Sequence, residues 1–334
     1  MKKILLVQRT AALLSASLVA FSASRSAHAQ LLLYEGFDYT AGEGWATTGS
    51  GYNGGTGWGG IAWSATAAAV ATNYARSLSY ANGATLVTSG GSVVLGYTGG
   101  YPTAGGQTAI IQRVLPNTLT NYFGGSGGTL WISFLYQNWT DNPGGFSDYR
   151  QANFGLFLGA TTNASGVSGV NGNERVDVGS PNTYQAPGDY LSLWGQNVPQ
   201  TAAAQSTLAT PRGSGLDAVF VVLRLDFNNT TVADTVYAWF NPVIGWADPS
   251  IATAISTTVS DFSGANAIRF QAGNLNASGT NSVFAIDELR VGYTAGDIGF
   301  FVPEPSTIAL FTLGSLVLPA LSQGRKAFRK SSAS

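Results

Sequence analysis

The 334-residue chain has no cysteine and one histidine, His28. Without cysteine there is no disulfide framework and no thiolate metal site. Because His28 lies in a segment with the marks of a removed leader, the mature body has no imidazole base for a Ser-His or Cys-His arrangement. Lysine is confined to the ends, at Lys2, Lys3, Lys326 and Lys330. Residues 30–301 hold eight arginines against sixteen acidic residues, a net charge of −8, which excludes a basic nucleic-acid face. Neither of the two terminal apolar runs reaches the ~20 residues of an unstrained membrane span.

What is present points to a folded, turn-rich β protein. Hydrophobic residues make up 45% and aromatics 12%, enough for a core and too much for a disordered chain. There are 43 glycines in the 334 residues, well above the usual ~7%. Period-two alternation marks the strands. In Asp217 to Phe227, one face carries Val219, Val221, Leu223, Leu225 and Phe227, read as core. The other carries Phe220, Val222, Arg224 and Asp226, with the last two read as a solvated pair. Residues 130–137, 235–240, 268–272 and 283–291 alternate in the same way, and 31–37, 109–114, 154–158 and 190–194 are shorter candidates. The Ala-rich stretches 65–71 and 201–209 are read as short helical turns. About ten strands joined by loops imply two packed antiparallel sheets, because one open sheet would leave a large face wet.

The ends read as addresses. Lys2 and Lys3 precede an apolar run from Ala11 to Phe21, and Ala27-His28-Ala29 supplies a small-x-small cleavage pattern before Gln30. Residues 1–29 are therefore expected to be a signal peptide. At the other end Val302-Pro303-Glu304-Pro305-Ser306-Thr307 precedes the apolar stretch Ile308 to Leu321 and the basic residues Arg325, Lys326, Arg329 and Lys330. The two prolines hold Glu304 in extended backbone. The apolar segment suits a short hydrophobic helix, and the cations after it would keep the tail cytoplasmic.

This terminus, 301–334, resembles the PEP-CTERM sorting signal of Gram-negative bacteria. That resemblance implies an exported protein, transiently anchored in the inner membrane and processed by an exosortase-type enzyme that reads Pro303, Glu304 and Pro305. Its destination would be the outer surface or an exopolysaccharide-containing matrix.

The body, residues 30–300, carries a second resemblance. Leu33-Tyr34-Glu35-Gly36-Phe37-Asp38 opens it, Arg224-Leu225-Asp226-Phe227 and Asp234 to Pro242 follow, and Phe284-Ala285-Ile286-Asp287-Glu288-Leu289-Arg290-Val291-Gly292 closes it. This order is similar to the concanavalin A-like lectin/glucanase superfamily, especially laminin-G-like jelly rolls. The resemblance implies an antiparallel jelly-roll β-sandwich whose first and last strands pair. Glu35, Asp38, Asp287 and Glu288 would then lie near one sheet edge, in structural rather than catalytic roles.

Catalytic motifs fail on their own chemistry. Gly124 to Gly128 matches a nucleophile elbow by letter, but a strand follows it and no histidine serves it. Gly100 to Thr108 echoes a phosphate loop with Gln107 where lysine is needed. Two carboxylates suffice for glycoside hydrolysis, yet the body has only Glu35, Glu43, Glu174 and Glu288 and no Glu-x-Asp-x-x-Glu strand of the glucanase kind. The expectation is a non-catalytic module that needs no cofactor. A structural calcium would find its oxygens at Asp141, Asn142 and Asp148, although an Asx-Pro-Gly turn accounts for the same residues.

Aromatic side chains are the remaining candidates for binding. Trp45, Trp58 and Trp63 lie in Gly-rich sequence and Tyr237 and Trp239 share a strand face, so these five could offer platforms for sugar rings. Core packing is the competing use of each. The function expected is carbohydrate binding or adhesion, with polysaccharide as partner. The alternatives are a structural matrix protein without a discrete site and a carboxylate-dependent glycosidase.

Overall fold

The computed structural model describes residues 31–43, 45, 52–65, 71–95, 108–123, 128–138, 151–158, 174–180, 190–195, 204–209, 218–228, 233–245, 248–258, 262, 264–273 and 284–300. Chain contacts divide the molecule into Met1–Gln30 and Leu31–Ser334, and every described residue belongs to the second unit.

Among the described residues there are seventeen strands. They are β1 (Leu31–Glu35), β2 (Ser64–Ala65), β3 (Ala71–Tyr74), β4 (Ala81–Asn82), β5 (Ala84–Thr85), β6 (Ser92–Leu95), β7 (Thr108–Val114), β8 (Gly128–Asn138) and β9 (Gln151–Phe157). The remainder are β10 (Glu174–Ser180), β11 (Tyr190–Gly195), β12 (Ala204–Ala209), β13 (Val219–Phe227), β14 (Thr235–Phe240), β15 (Ile255–Thr258), β16 (Ala267–Gly273) and β17 (Phe284–Gly292). One short α-helix, α1 (Asn117–Phe123), buries Leu119 and Phe123 in the core, and a 3-10 turn spans Ile251–Thr253. Sheet A runs β15-β14-β13-β8-β17-β6-β3, with β1 also on β17; sheet B runs β12-β11-β10-β9-β16-β7-β2. Every strand pairing in both is antiparallel.

Alternation explains how the sheets stack. Val219, Val221, Leu223, Leu225 and Phe227 of β13 join Phe154 and Leu156 of β9 and Ile268 and Phe270 of β16 in one core cluster. The sandwich and its first–last strand pairing are as expected. Leu33, Tyr34 and Glu35 align with Val291, Arg290 and Leu289. β17 is an interior strand rather than an edge: β8 lies on one side, and β6 and β1 share the other along its length. The handover between them is a bulge at Asp287 to Arg290, where Glu288 takes φ 56°.

Two local expectations are corrected. Residues 204–209, read as a helical turn, are strand β12, and Ala65 and Ala71 at the ends of the other Ala-rich stretch lie in β2 and β3. Ladder pairing to neighbours outweighs alanine's helix propensity here. The outer face of sheet A is also not simply wet. Phe220 and Val222 form a second core with Val94, Trp131 and Trp239, covered by Leu78, Tyr80 and Leu86 of the strap 77–91 and by Ala295, Ile298 and Phe300.

Candidate functional site

The three Gly-rich tryptophans are not platforms. Trp45, Trp58 and Trp63 are 1%, 1% and 0% exposed; Trp58 and Trp63 lie against a buried ion pair, and Trp45 packs on Trp63. Arg113 from β7 meets the Glu35 carboxylate of β1 at 2.6 Å, with both side chains out of solvent. Glu35 also accepts from Trp63 Nε1 and Tyr39 Oη, both at 2.9 Å, and from the Phe37 amide at 2.9 Å. Arg113 spends its other donors on the Ile61 and Gly54 carbonyls, and its guanidinium lies 4.2 Å from the Trp58 ring centre. Burial pushes Tyr39 up, helped by the adjacent Glu35 charge, and lowers Arg113 against the pull of Glu35. This buried network ties β1 to the opposite sheet. Glycine brings the loop in: Gly55 has φ +78°, and a Cβ there would collide with the Tyr34 carbonyl.

The carboxylates of the β17 bulge, Asp287 and Glu288, are held by hydrogen bonds within the fold, whereas Asp38 stands apart and exposed. Asp287 accepts from the Leu78 amide at 2.9 Å and the Glu288 amide at 2.7 Å. Glu288 takes the Ser89 amide at 2.5 Å, Tyr34 Oη at 3.1 Å and Arg290 at 2.5 Å. Together they grip both ends of the strap 77–91. Burial, and then the Glu288 charge, push Asp287 up to about 9 against those two amides. Burial also raises Tyr34 to about 12.

Tyr237 and Trp239 project from β14 onto the outer face of sheet A, but to different depths. Trp239 is 4% exposed, stacked on Trp131 at 5.7 Å, with Nε1 held by Ser250 and Thr253. It is therefore a backing residue and not a contact surface. Tyr237 lies half-buried against Trp239 at 6.4 Å. Strand register sets Trp131, Arg224, Tyr237 and Ser256 in one row and Thr129, Asp226 and Thr235 in the next. The Arg224 guanidinium sits 5.7 Å from the Trp131 ring and 5.8 Å from the Tyr237 ring. Its Nε donates to Asp226 Oδ1 at 2.7 Å, with both side chains 26% exposed. Thr129 Oγ1 donates to the same oxygen. The part of this face that reaches solvent is thus the Tyr237 ring, with the Arg224–Asp226 pair beside it, 26% exposed.

Sheet B has a polar outer face that sequence reading missed. One row runs Gln112, Arg269, Gly155, Asp177, Trp194, and the next Ile110, Gln271, Asn153, Gly179, Ser192. Arg269 donates to Gln112 Oε1 at 3.0 Å and covers Phe157 at 4.0 Å; Asn153 donates to Asp177 at 2.5 Å. Gly155 permits this, since a Cβ would collide with Asp177 and Phe157. Gln271, Ser192 and Trp194 are each 0% exposed. Their side-chain polar atoms have no hydrogen-bond partner among the described residues. The alternation in Ala267 to Gly273 and Tyr190 to Gly195 signals polar outward positions. Nothing in it signals that they are enclosed.

The remaining expected sites, Ala27 and Ala29, Pro303, Glu304 and Pro305, and Asp141, Asn142 and Asp148, lie outside the described residues. Among the described residues no group of three His, Cys, Asp or Glu could hold a metal ion, and no helix is long and apolar enough to cross a membrane.

No protein family and no characterised protein sequence matches the chain. Solved structures similar to it include endo-beta-1,4-glucuronan lyase from the fungus Trichoderma reesei, at 12% identity and TM-score 0.38, covering 79% of this chain and 98% of the other. The VIP36 exoplasmic/lumenal domain bound to calcium and Man2 is 8% identical at TM-score 0.39, covering 70% and 81%. The lectin UEA-II complexed with galactose is 12% identical at TM-score 0.31, covering 67% and 98%.

Proposed function

We propose that this protein is an exported, non-catalytic carbohydrate-binding module whose glycan platform is the uncovered part of the outer face of sheet A. The observation that supports it is the half-buried Tyr237 ring, backed by the Trp239–Trp131 stack and edged by the Arg224–Asp226 pair. The negative face of an aromatic ring attracts the C–H groups of a sugar ring, and a polar handle alongside fixes its orientation. The stack behind Tyr237 holds the ring in place, so little side-chain freedom is lost on binding. No cofactor is needed for this. A glycan array with the purified chain should show saturable binding that Tyr237→Ala abolishes while circular dichroism shows the chain still folded, the lost packing on Trp239 lowering the melting temperature only in part. Absence of saturable binding at millimolar sugar would instead favour a structural matrix protein.

The ends complete the proposal. Cleavage after Ala29 releases the chain for export, and the segment 308–321 anchors it until an exosortase-type enzyme reads Pro303-Glu304-Pro305. Deleting 303–334 should leave the melting temperature of the body unchanged and release it to the periplasm or medium. A truncated chain that fractionates with the membrane as the full chain does would remove the sorting role.

A further inference from the structure

We infer that the glycan taken by the outer face of sheet A is a neutral one that presents a vicinal pair of free hydroxyls to Arg224 and Asp226. The inference rests on the platform reading above and adds the chemistry of the ligand.

Arg224 and Asp226 are two residues apart on β13 and therefore share its outer face. One N–H of the guanidinium, on Nε, is spent on Asp226 Oδ1, which also takes the Thr129 hydroxyl. A guanidinium has further N–H donors on its two terminal nitrogens, and a carboxylate has a second oxygen. Among the described residues none of these remaining groups of Arg224 or Asp226 has a hydrogen-bond partner. They sit side by side, 26% exposed, at the rim of the ring a sugar would cover. The ion pair and the two flanking rings hold them there before any ligand arrives.

That rim is a donor beside an acceptor. A sugar hydroxyl both donates and accepts, so two adjacent hydroxyls can take one bond from the guanidinium and give one to the carboxylate. Both bonds are charge-assisted, the stronger kind. An anionic sugar fits less well, because Arg224 already has its counter-charge. A ligand carboxylate placed beside Asp226 would meet a like charge, on a body whose net charge is −8.

Three oligosaccharides separate these terms. Cellohexaose leaves a vicinal diol free on each interior ring. Laminarihexaose, equally neutral, has none on its interior rings, because its linkage occupies the middle hydroxyl. An oligogalacturonate keeps a diol and adds a carboxylate to each ring. Titration calorimetry of the intact chain should show cellohexaose binding about tenfold more tightly than laminarihexaose, the worth of a hydrogen bond to a charged group. Its affinity should be the same at low and high salt, with the oligogalacturonate weaker than cellohexaose. Asp226→Asn and Arg224→Gln should each bring cellohexaose down to the laminarihexaose level. Equal affinity for the two neutral sugars, or a salt-sensitive preference for the uronate, would overturn the inference while leaving the platform. Failure of all three sugars to bind, or binding that Tyr237→Ala leaves intact, would remove the platform and the inference with it.

Discussion

The outer faces of the two sheets are built by the same alternation and reach opposite states. On sheet A, the buried polar groups of the outer face find partners: Ser133 Oγ donates to the Ile298 carbonyl at 2.9 Å, and Trp239 Nε1 is held by Ser250 and Thr253. The strap 77–91 and residues 293–300 cover part of that face with apolar side chains, and the rest stays half-open at Tyr237 and Arg224. On sheet B, Gln271, Ser192 and Trp194 are buried as deeply without a hydrogen-bond partner among the described residues. A polar group that loses water without gaining a partner costs about 1–3 kcal/mol. Among the described residues the same sandwich therefore carries one outer face whose buried polar groups are paired and one where several are not.

The largest effect should come from the inner core between these faces. Arg113→Met leaves the Glu35 carboxylate buried without its cation and should destabilise the fold by about 3–5 kcal/mol in denaturant titrations. Glu35 would keep its bonds from Tyr39, Trp63 and the Phe37 amide, so the lower end of that range is expected. A loss below about 1 kcal/mol, typical of an exposed pair, would mean that the node does not hold the sheets together.

The strap that distinguishes sheet A should respond to pH. Asp287 has its pKa raised from 3.8 to about 9, so the folded chain holds a proton there that the unfolded chain gives up earlier. In that window the native state binds more protons, and stability falls as pH rises from about 4 toward 9. Melting temperatures measured across the window should decline, and Asp287→Asn should flatten the decline. Hydrogen exchange at the Leu78 amide, which donates to Asp287, should quicken more than intrinsic exchange alone as pH rises. A wild-type profile that is flat, or that Asp287→Asn leaves unaltered, would dissociate the strap from this carboxylate.

How much of this the sequence discloses depends on what a residue's role depends on. Alternation alone reveals β13, β14 and β17, the core set from Val219 to Phe227 and the Arg224–Asp226 pair, because strand period is local. The fate of the tryptophans is not local. Trp58 in its Gly-rich stretch and Tyr237 on an alternating strand read alike as candidate platforms, and only the fold shows that Arg113 arrives 4.2 Å from the first while solvent reaches the second. The polar face of sheet B is hidden for the same reason. Its residues come from five strands between Ile110 and Gln271, and register alone aligns them.

The smallest effects make the sharpest test of the two faces, because one residue type can be compared on both. Ser133 and Ser192 are each 0% exposed and each point outward from an interior strand. Ser133→Ala removes a bonded hydroxyl and should cost about 1 kcal/mol. Ser192→Ala removes a hydroxyl whose burial is uncompensated, and the methyl that remains needs no partner. It should leave stability unchanged or raise it, and Gln271→Leu should raise it by about 1 kcal/mol, or ~2–4 °C in melting temperature for a domain of this size. Measured in the same denaturant series, the two serine variants should differ in sign or separate by at least half a kcal/mol or so. If Ser192→Ala and Gln271→Leu destabilise as Ser133→Ala does, the polar groups of sheet B are satisfied in solution, and the contrast between the two faces disappears.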